Sequence, residues 1–438
     1  MTNGVSTREL VLDILLEVNE KDGYSHLVLR DVLNKYQYLE KQERAFLTRL
    51  AEGTIEHMLE MDFIINSFSK VKVNKMKPLI RNLLRMSVYQ LKYMDSIPDA
   101  AVCNEAVKLA KKRGFGQLRG FVNGILRNIA RNRNALHYPD ERIEPAVFLE
   151  VTYSIPKWIV EQWIANYGYE TAKSICRSFL EEKPMTIRTN LTKTTPQELK
   201  LRLEEEGVCV MPVESLSYAF AISGFDYLQS LESFSEGLFY VQDISSMMVA
   251  ETASPKEGDY VIDVCAAPGG KSSHLAEQLN GSGMVEARDL TEYKISLIEE
   301  NIERHGLTNM KAVQMDATVF DKDSVGKADI LICDLPCSGL GVMGKKTDIR
   351  YKMTPQKQKD LMNLQRQILR TVHTYVKPGG TLIYSTCTIH KGENEDMVAW
   401  FLKEFSNFTL ISQKQIIPNG QYQDGFFIAK LERKADDK

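Results

Sequence analysis

The sequence predicts a multidomain protein: an all-α domain first, a small α/β module next, and a doubly wound α/β domain last. Up to about residue 134, apolar residues recur only at helical spacing. From about residue 236, short apolar runs alternate with amphipathic stretches. That alternation implies parallel strands with helices on both faces. The expected boundaries are 1–134 for the helical domain, 135–150 for a linker, 151–235 for the small module and 236–438 for the doubly wound domain.

The helical domain opens with "STRELVLDILLEV", where Ser6 or Thr7 can cap a helix that turns Leu10, Ile14, Leu15 and Val18 to one side. "KPLIRNLLRMSVYQLKYM" buries Leu79, Leu83, Leu84, Val88 and Leu91, and its bases Lys77, Arg81, Arg85 and Lys92 are expected on one outward stripe. "QLRGFVNGILRNIARNR" repeats the device with Arg119, Asn123, Arg127 and Arg131. "ALHYPDERIEP" is polar, carries two prolines and reads as a linker. In the small module "PMTIRTN" predicts a strand, "TPQELKLRLEEEG" a helix capped by Thr195, and "VCVMPVESLSYAFAIS" paired strands.

Composition narrows the function classes. With 438 residues, 43% of them hydrophobic, the chain can build two or three cores. It has no apolar run of about 18 residues and no secretory leader pattern, so a cytoplasmic protein without a membrane span is expected. Seven scattered cysteines with no CxxC pair, and dispersed histidines, predict neither a disulfide framework nor a metal site. Cys103, Cys176, Cys209 and Cys333 read as packing residues. The net charge is only -3, but residues 70–134 hold fifteen Lys and Arg against three acids, a local +12. The first 69 residues carry seven bases and twelve acids. Positive charge gathered into one segment is the footprint expected for nucleic acid.

The chemistry concentrates at strand carboxyl ends, where ligands of an open α/β sheet sit. In "VIDVCAAPGGKSSHLAEQL" a strand ends near Asp263 and a small-residue loop enters a helix. Ala266, Ala267, Gly269 and Gly270 allow close approach to the backbone, the helix start favours an anion, and Lys271 can add charge. G-x-G-x-x-G is absent and Pro268 has no N–H, so a carboxylate-bearing nucleoside fits better than a pyrophosphate. Asp289 in "VEARD" stands where a carboxylate takes ribose hydroxyls, and Asp316 in "VQMDA" where a purine would lie. Acids at four successive strand ends, Asp263, Asp289, Asp316 and Asp334, point to an adenosine cofactor, with S-adenosylmethionine the natural candidate.

Two further strands end in cysteine, Cys337 in "DLPC" and Cys387 in "STC". A thiol beside a methyl donor suits an acceptor atom that must first be activated covalently, such as C5 of a pyrimidine. Thiolate addition at C6 makes C5 nucleophilic. A carboxyl group, Asp334, can assist by hydrogen-bonding or protonating N3. Spacing does not say which thiol attacks.

As a set, "CAAPGGK", "DLPCSG" and "YSTCT" resemble the RNA (cytosine-5) methyltransferases of the Sun/Fmu group, whose domain is Rossmann-like. "IPDAAVCNEAVKLAK" and "RGFVNGILRNI" resemble the NusB-like RNA-binding fold. Together the resemblance covers nearly the whole chain. It implies methylation of a 16S rRNA cytosine, cytosine 967, on rRNA or a small-subunit assembly intermediate; a monomer is expected. It implies that Cys387 attacks C6 and Cys337 assists release. The cofactor contacts it implies are Cys265, Ala266, Ala267, Pro268, Gly269, Gly270, Lys271, Asp289, Asp316 and Asp334. Arg81, Arg85, Arg119 and Arg127 are the expected RNA contacts. The sequence departs from the group's usual pattern at Thr388, where Ser is frequent, and at Arg288, where an apolar residue is usual. Two alternatives remain: the same chemistry on tRNA or another rRNA site, or an RNA-binding assembly or antitermination factor with a vestigial catalytic domain.

Overall fold

The computed structural model describes residues 6–418 and 422–435. The chain forms two compact units: residues through Leu180 together with Met343–Lys352, and Glu181–Val342 together with Met353 onward.

The first unit is helical. Ser6 caps Thr7–Glu20 by accepting the Glu9 N–H, and Leu12, Leu15, Leu47, Leu83, Leu84, Val88 and Leu126 fill a continuous core. Helices Pro78–Tyr93 and Arg119–Asn132 occupy the two expected basic segments. The expected linker ends early, because Pro145 starts a helix running to Tyr153. Proline suits a first helical turn, where its missing N–H leaves no bond unmade. Helices Lys157–Tyr167 and Tyr169–Ser178 follow, so this unit extends to Leu180. The segment Met343–Lys352 is fixed within it by buried polar contacts. Asp348 accepts the Ser25 hydroxyl at 2.6 Å, and buried Arg350 donates to the carbonyls of Tyr153 and Met343.

The second unit holds two sheets. Strands β1 (Met185–Thr189), β2 (Cys209–Pro212), β3 (Ala219–Ser223) and β4 (Phe239–Val241) form an antiparallel sheet in the order β2-β3-β1-β4. Thr195 and Glu198 form the capping box of the adjoining helix Pro196–Glu205. Cys209 is exposed on edge strand β2, which corrects its expected packing role.

The larger sheet contains β5 (Tyr260–Asp263), β6 (Met284–Asp289), β7 (Met310–Gln314), β8 (Ala328–Asp334), β9 (Val376–Thr386), β10 (Phe408–Ile416) and β11 (Phe426–Arg433), in the order β10-β11-β9-β8-β5-β6-β7. The five strands β5 to β9 are parallel, whereas β11 pairs antiparallel with both β9 and β10. The sheet is therefore mixed rather than all-parallel. Among the described residues no helix separates β10 from β11, and a parallel pairing would need such a crossover. After β5 the chain builds outward to β6 and β7, then returns to place β8 on the other side. The carboxyl ends of β5 and β8 flank that switch point, the place where the ligand crevice of such a sheet lies.

Candidate active site

The loop leaving β5 is held from below. Asp263 is buried, accepts the Ser272 hydroxyl at 2.6 Å and the Cys265 N–H at 3.3 Å, and burial pushes it up to about 7, against the Ser272 bond and with the charge of Asp334. It braces the loop rather than facing a ligand. Ala266 donates to the Arg288 carbonyl at 2.8 Å, and Ala267 donates to the Asp289 carboxylate at 3.0 Å. Gly269 turns the chain at φ +103° into helix Gly270–Gln278, a conformation that favours glycine. Burial and the nearby acids Asp263, Asp289 and Asp334 push the Cys265 thiol well up, away from the thiolate form.

Lys271 departs from its expected place at an anion site. Its Nζ lies 2.7 Å from the Asp334 carboxylate, which also accepts the Ser385 hydroxyl at 2.8 Å. Burial opposes the ammonium, but Asp334 outweighs it and holds Lys271 above its ordinary range. The crevice floor is thus an ion pair that offers both a donor and an acceptor.

Asp289 accepts from Leu290 N–H at 2.7 Å and Lys294 Nζ at 2.8 Å as well as from Ala267. Asp316 lies two residues past the end of β7 and not within the strand. One of its oxygens takes both the Thr318 N–H and hydroxyl; the other has no partner among the described residues. Leu290, directly after Asp289, is 54% exposed. A built Cβ on Gly270 would meet only Gln242, at 3.9 Å. An open carboxylate oxygen, an exposed apolar side chain and an uncrowded helix start fit a nucleoside. The loop N–H of Ala267 is already taken by Asp289, and Pro268 has none, so a pyrophosphate cradle is missing.

The two cysteines converge. Cys337 follows β8, Cys387 follows β9, and their sulfurs are 3.3 Å apart. Contact with the Cys387 sulfur, burial and the nearby Glu393 carboxylate push the Cys337 thiol well up. Gly341 makes the approach possible. Its N–H donates to the Cys387 carbonyl at 3.0 Å, and a Cβ there would fall 2.0 Å from the Gly425 carbonyl oxygen. Behind the thiols, Ser338 and Thr388, each next to a cysteine, bond through their hydroxyls at 2.8 Å, and Ser338 bonds Glu393. Sequence reasoning passed over Glu393; the only signal was an acid in "HKGENED" soon after the "STC" strand end. Arg288 is buried and bonded to Glu286, Asp321 and Ser324, which satisfies the charge where an apolar residue is usual.

The basic segment of the helical unit differs from the expected pair of stripes. Arg85 is buried and grips Asp62 with two bonds of 2.7 and 2.6 Å; Arg81 grips Glu20, and Lys92 pairs with Glu60. These cations face acids of the first 69 residues, which neutralise part of the +12. Arg119, Arg127 and Arg131 are exposed on their helix, as are Lys70, Lys72, Lys75 and Lys77, and none pairs with a described carboxylate. Among the described residues no helix is long and apolar enough to cross a membrane, and no cluster of His, Cys, Asp or Glu could hold a metal ion.

Comparison with known proteins adds to this geometry. The NusB family matches residues 5–131, an RsmF/B-like ferredoxin-like domain matches 155–225, and the 16S rRNA methyltransferase RsmB/F family matches 250–432. The probable ribosomal RNA small subunit methyltransferase B of Bacillus subtilis (strain 168) is 36% identical, covering 98% of this chain and 99% of that protein. Its counterpart from Synechocystis sp. is 31% identical over 98% of this chain and all of that protein. The crystal structure of PH0851 superposes with a TM-score of 0.82 at 26% identity, covering 98% of each chain. NSun6 from Pyrococcus horikoshii with SFG gives 0.58 at 25% identity, covering 64% of this chain and 99% of that one. With a helical NusB-like unit, a small ferredoxin-like sheet and a two-thiol crevice on a mixed seven-stranded sheet, the chain belongs to the ribosomal RNA small subunit methyltransferase B family and is an rRNA methyltransferase of the RsmB/F type.

Proposed function

We propose that this enzyme methylates C5 of a cytosine in 16S rRNA, cytosine 967 by family resemblance, with S-adenosylmethionine as the methyl donor. The observation that carries this is the 3.3 Å approach of two sulfurs beside the Lys271–Asp334 pair. The loop Cys265–Lys271, with Asp289 and Asp316, would hold the cofactor: Asp289 toward the ribose, Asp316 toward the purine and the start of helix Gly270–Gln278 toward the carboxylate. Bound there, S-adenosylmethionine supplies an electrophilic methyl group.

The chain's own residues supply the rest. Cys387, as thiolate, adds to C6 and breaks the C5–C6 double bond. Asp334 relays a proton from the Lys271 ammonium bonded to it onto N3, which neutralises the developing charge and leaves C5 nucleophilic. Once C5 carries the methyl group, solvent water takes its proton, the C5–C6 double bond re-forms, the C6–S bond breaks to return Cys387 as a thiolate, and the N3 proton goes back through Asp334 to Lys271. Cys337, kept as a neutral thiol by its surroundings, hydrogen-bonds the departing sulfur. On the helical unit, the uncompensated Lys70, Lys72, Arg119 and Arg127 form the RNA-facing surface, and Lys70 lines an open groove of about 380 Å³ with Phe68, Gly120, Phe121 and Gly124.

The test uses RNA with 5-fluorocytosine at the target, which cannot release its C5 substituent as a proton. The parent enzyme should form a persistent adduct, seen as a retarded band on denaturing gels. Cys387→Ala should abolish adduct and turnover, whereas Cys337→Ala should accumulate adduct even with ordinary RNA. The opposite pattern would reverse the two roles, and indifference to both substitutions would end the covalent mechanism.

A further inference from the structure

The two sulfurs belong to loops that are fifty positions apart and leave different strands. No local turn fixes one loop against the other. Backbone bonds from Leu335 N–H to the Ser385 carbonyl at 3.2 Å and from Gly341 N–H to the Cys387 carbonyl at 3.0 Å join them, and a chain of buried polar groups adds to that link between the residues beside the two sulfurs. The His390 N–H donates to the Thr388 hydroxyl at 3.2 Å, the Thr388 hydroxyl lies 2.8 Å from that of Ser338, and the Ser338 hydroxyl donates to Glu393 at 2.5 Å. The same carboxylate accepts the Ser338 N–H at 2.8 Å and the Gln365 amide at 3.1 Å. That Gln365 amide also donates to the Pro336 carbonyl at 2.9 Å, on the residue before Cys337. Glu393, Ser338, Thr388 and Gln365 are each at most 1% exposed.

A fully buried carboxylate is unfavourable unless donors surround it, and an apolar residue would fill the same space at no such cost. Here the donors are Ser338, directly after Cys337, and Gln365, whose amide also holds the Pro336 carbonyl directly before Cys337, while the hydroxyl chain reaches the residue after Cys387. We propose that Glu393 is a positioning residue of the thiol pair: through Ser338 and Thr388 it ties the two cysteine loops together and sets the approach of their sulfurs. The inference rests on the two-thiol reading above and concerns what holds the pair, not which thiol attacks.

A trivalent arsenical tests the pairing without substrate. Phenylarsine oxide bridges two neighbouring thiols: two arsenic–sulfur bonds form, two S–H bonds break, and the oxygen leaves as water. Intact-mass measurement on the full chain should show one bridged equivalent in the parent and none in Cys337→Ala or Cys387→Ala. Glu393→Ala, Ser338→Ala and Thr388→Val should each slow bridging and lower RNA methylation, by up to about 100-fold for a displacement near 1 Å. Glu393→Gln should recover most of both, because its amide can accept from the Ser338 N–H and donate to the Ser338 hydroxyl, reversing that bond. Thr388→Ser keeps the hydroxyl and should bridge like the parent. If Glu393→Ala fails to fold, Ser338→Ala and Thr388→Val decide the matter.

Variants that lose thermal stability but bridge as fast as the parent would overturn the proposal and leave Glu393 an ordinary core group. A parent that does not bridge would overturn both this proposal and the thiol-pair reading. A parent that bridges, with variants that do not, would uphold the positioning role even if methylation at cytosine C5 were disproved.

Discussion

Charge is arranged on opposite principles in the two units. In the helical unit cations are spread over helix faces, and seven of the fifteen bases between residues 70 and 134 end on a described carboxylate. In the catalytic unit a few acids sit at strand ends, where topology gathers them, and each draws a lysine from a nearby helix: Lys271 on Asp334, with two thiols beside that pair, and Lys294 on Asp289. The contrast teaches that the number of charges says little about a ligand. Where the backbone makes them converge says more. Parallel strands deliver their carboxyl ends to one edge of the sheet whatever residues they carry. A helix delivers side chains to whichever neighbour is nearest.

The strongest way to break the contrast is at the point of convergence. A Cβ at Gly341 would lie 2.0 Å from the Gly425 carbonyl oxygen and 2.8 Å from that of Cys387, both backbone atoms that cannot swing aside. Gly341→Ala should therefore part the cysteine loops and cut methyl transfer more than about 100-fold, read by tritium transfer to rRNA. Near-parental activity would show that the strand ends converge without that contact.

On the helical side, Arg85→Ala strands Asp62 beside a buried surface. It should cost about 3 kcal/mol in urea unfolding of the parent chain. A negligible loss would mean the pair behaves as an exposed one, and that Arg85 stands closer to the RNA-facing group than its burial indicates.

A smaller effect belongs to Asp263. Its carboxyl is raised from 3.8 to about 7, so the folded state keeps a proton that the unfolded state gives up. Its contribution to stability is complete below 3.8 and fades as pH rises through about 7. Asp263→Asn removes that loss, so its melting temperature should gain on the parent across this window by about 5 °C. A gap constant with pH would show that Asp263 ionises normally in the fold.

The smallest expected change separates exposed from paired arginines. Removing Arg119 and Arg127 together should reduce the slope of log affinity against log salt by about 0.7 for each lost contact with single-stranded RNA. Replacing Arg81, already held by Glu20, should leave the slope alone. The reverse result would mean that the ion pairs open on RNA binding.

The catalytic strands and their loops were legible because the motifs coincide with elements that local rules define. A short apolar run followed by small residues and a helix gives β5, the Gly269 turn and Lys271 in order. Partners across the fold were not legible. Nothing in "CAAPGGK" says that Lys271 turns to Asp334, and nothing in "HKGENED" says that Glu393 reaches Ser338, because both contacts join segments brought together only by the sheet. The Arg85 error has the same origin. Periodicity assigned it to an outward face, yet that face is covered by the helix bearing Asp62. The last hairpin was missed for a different reason: β10 is exposed along most of its length and its apolar pattern is weak.

The ten residues Met343–Lys352 follow the catalytic loop within a few positions, yet they belong to the helical unit. The chain therefore crosses between the units three times, at 180/181, 342/343 and 352/353. One break in the polypeptide cannot divide them. A fragment starting at residue 181 would carry Asp348 without Ser25 and Arg350 without Tyr153. A lineage that lost the helical domain by simple deletion would inherit that orphaned decapeptide two residues beyond Gly341. Shedding this domain takes two coordinated edits to the gene, and the second falls beside the catalytic loop.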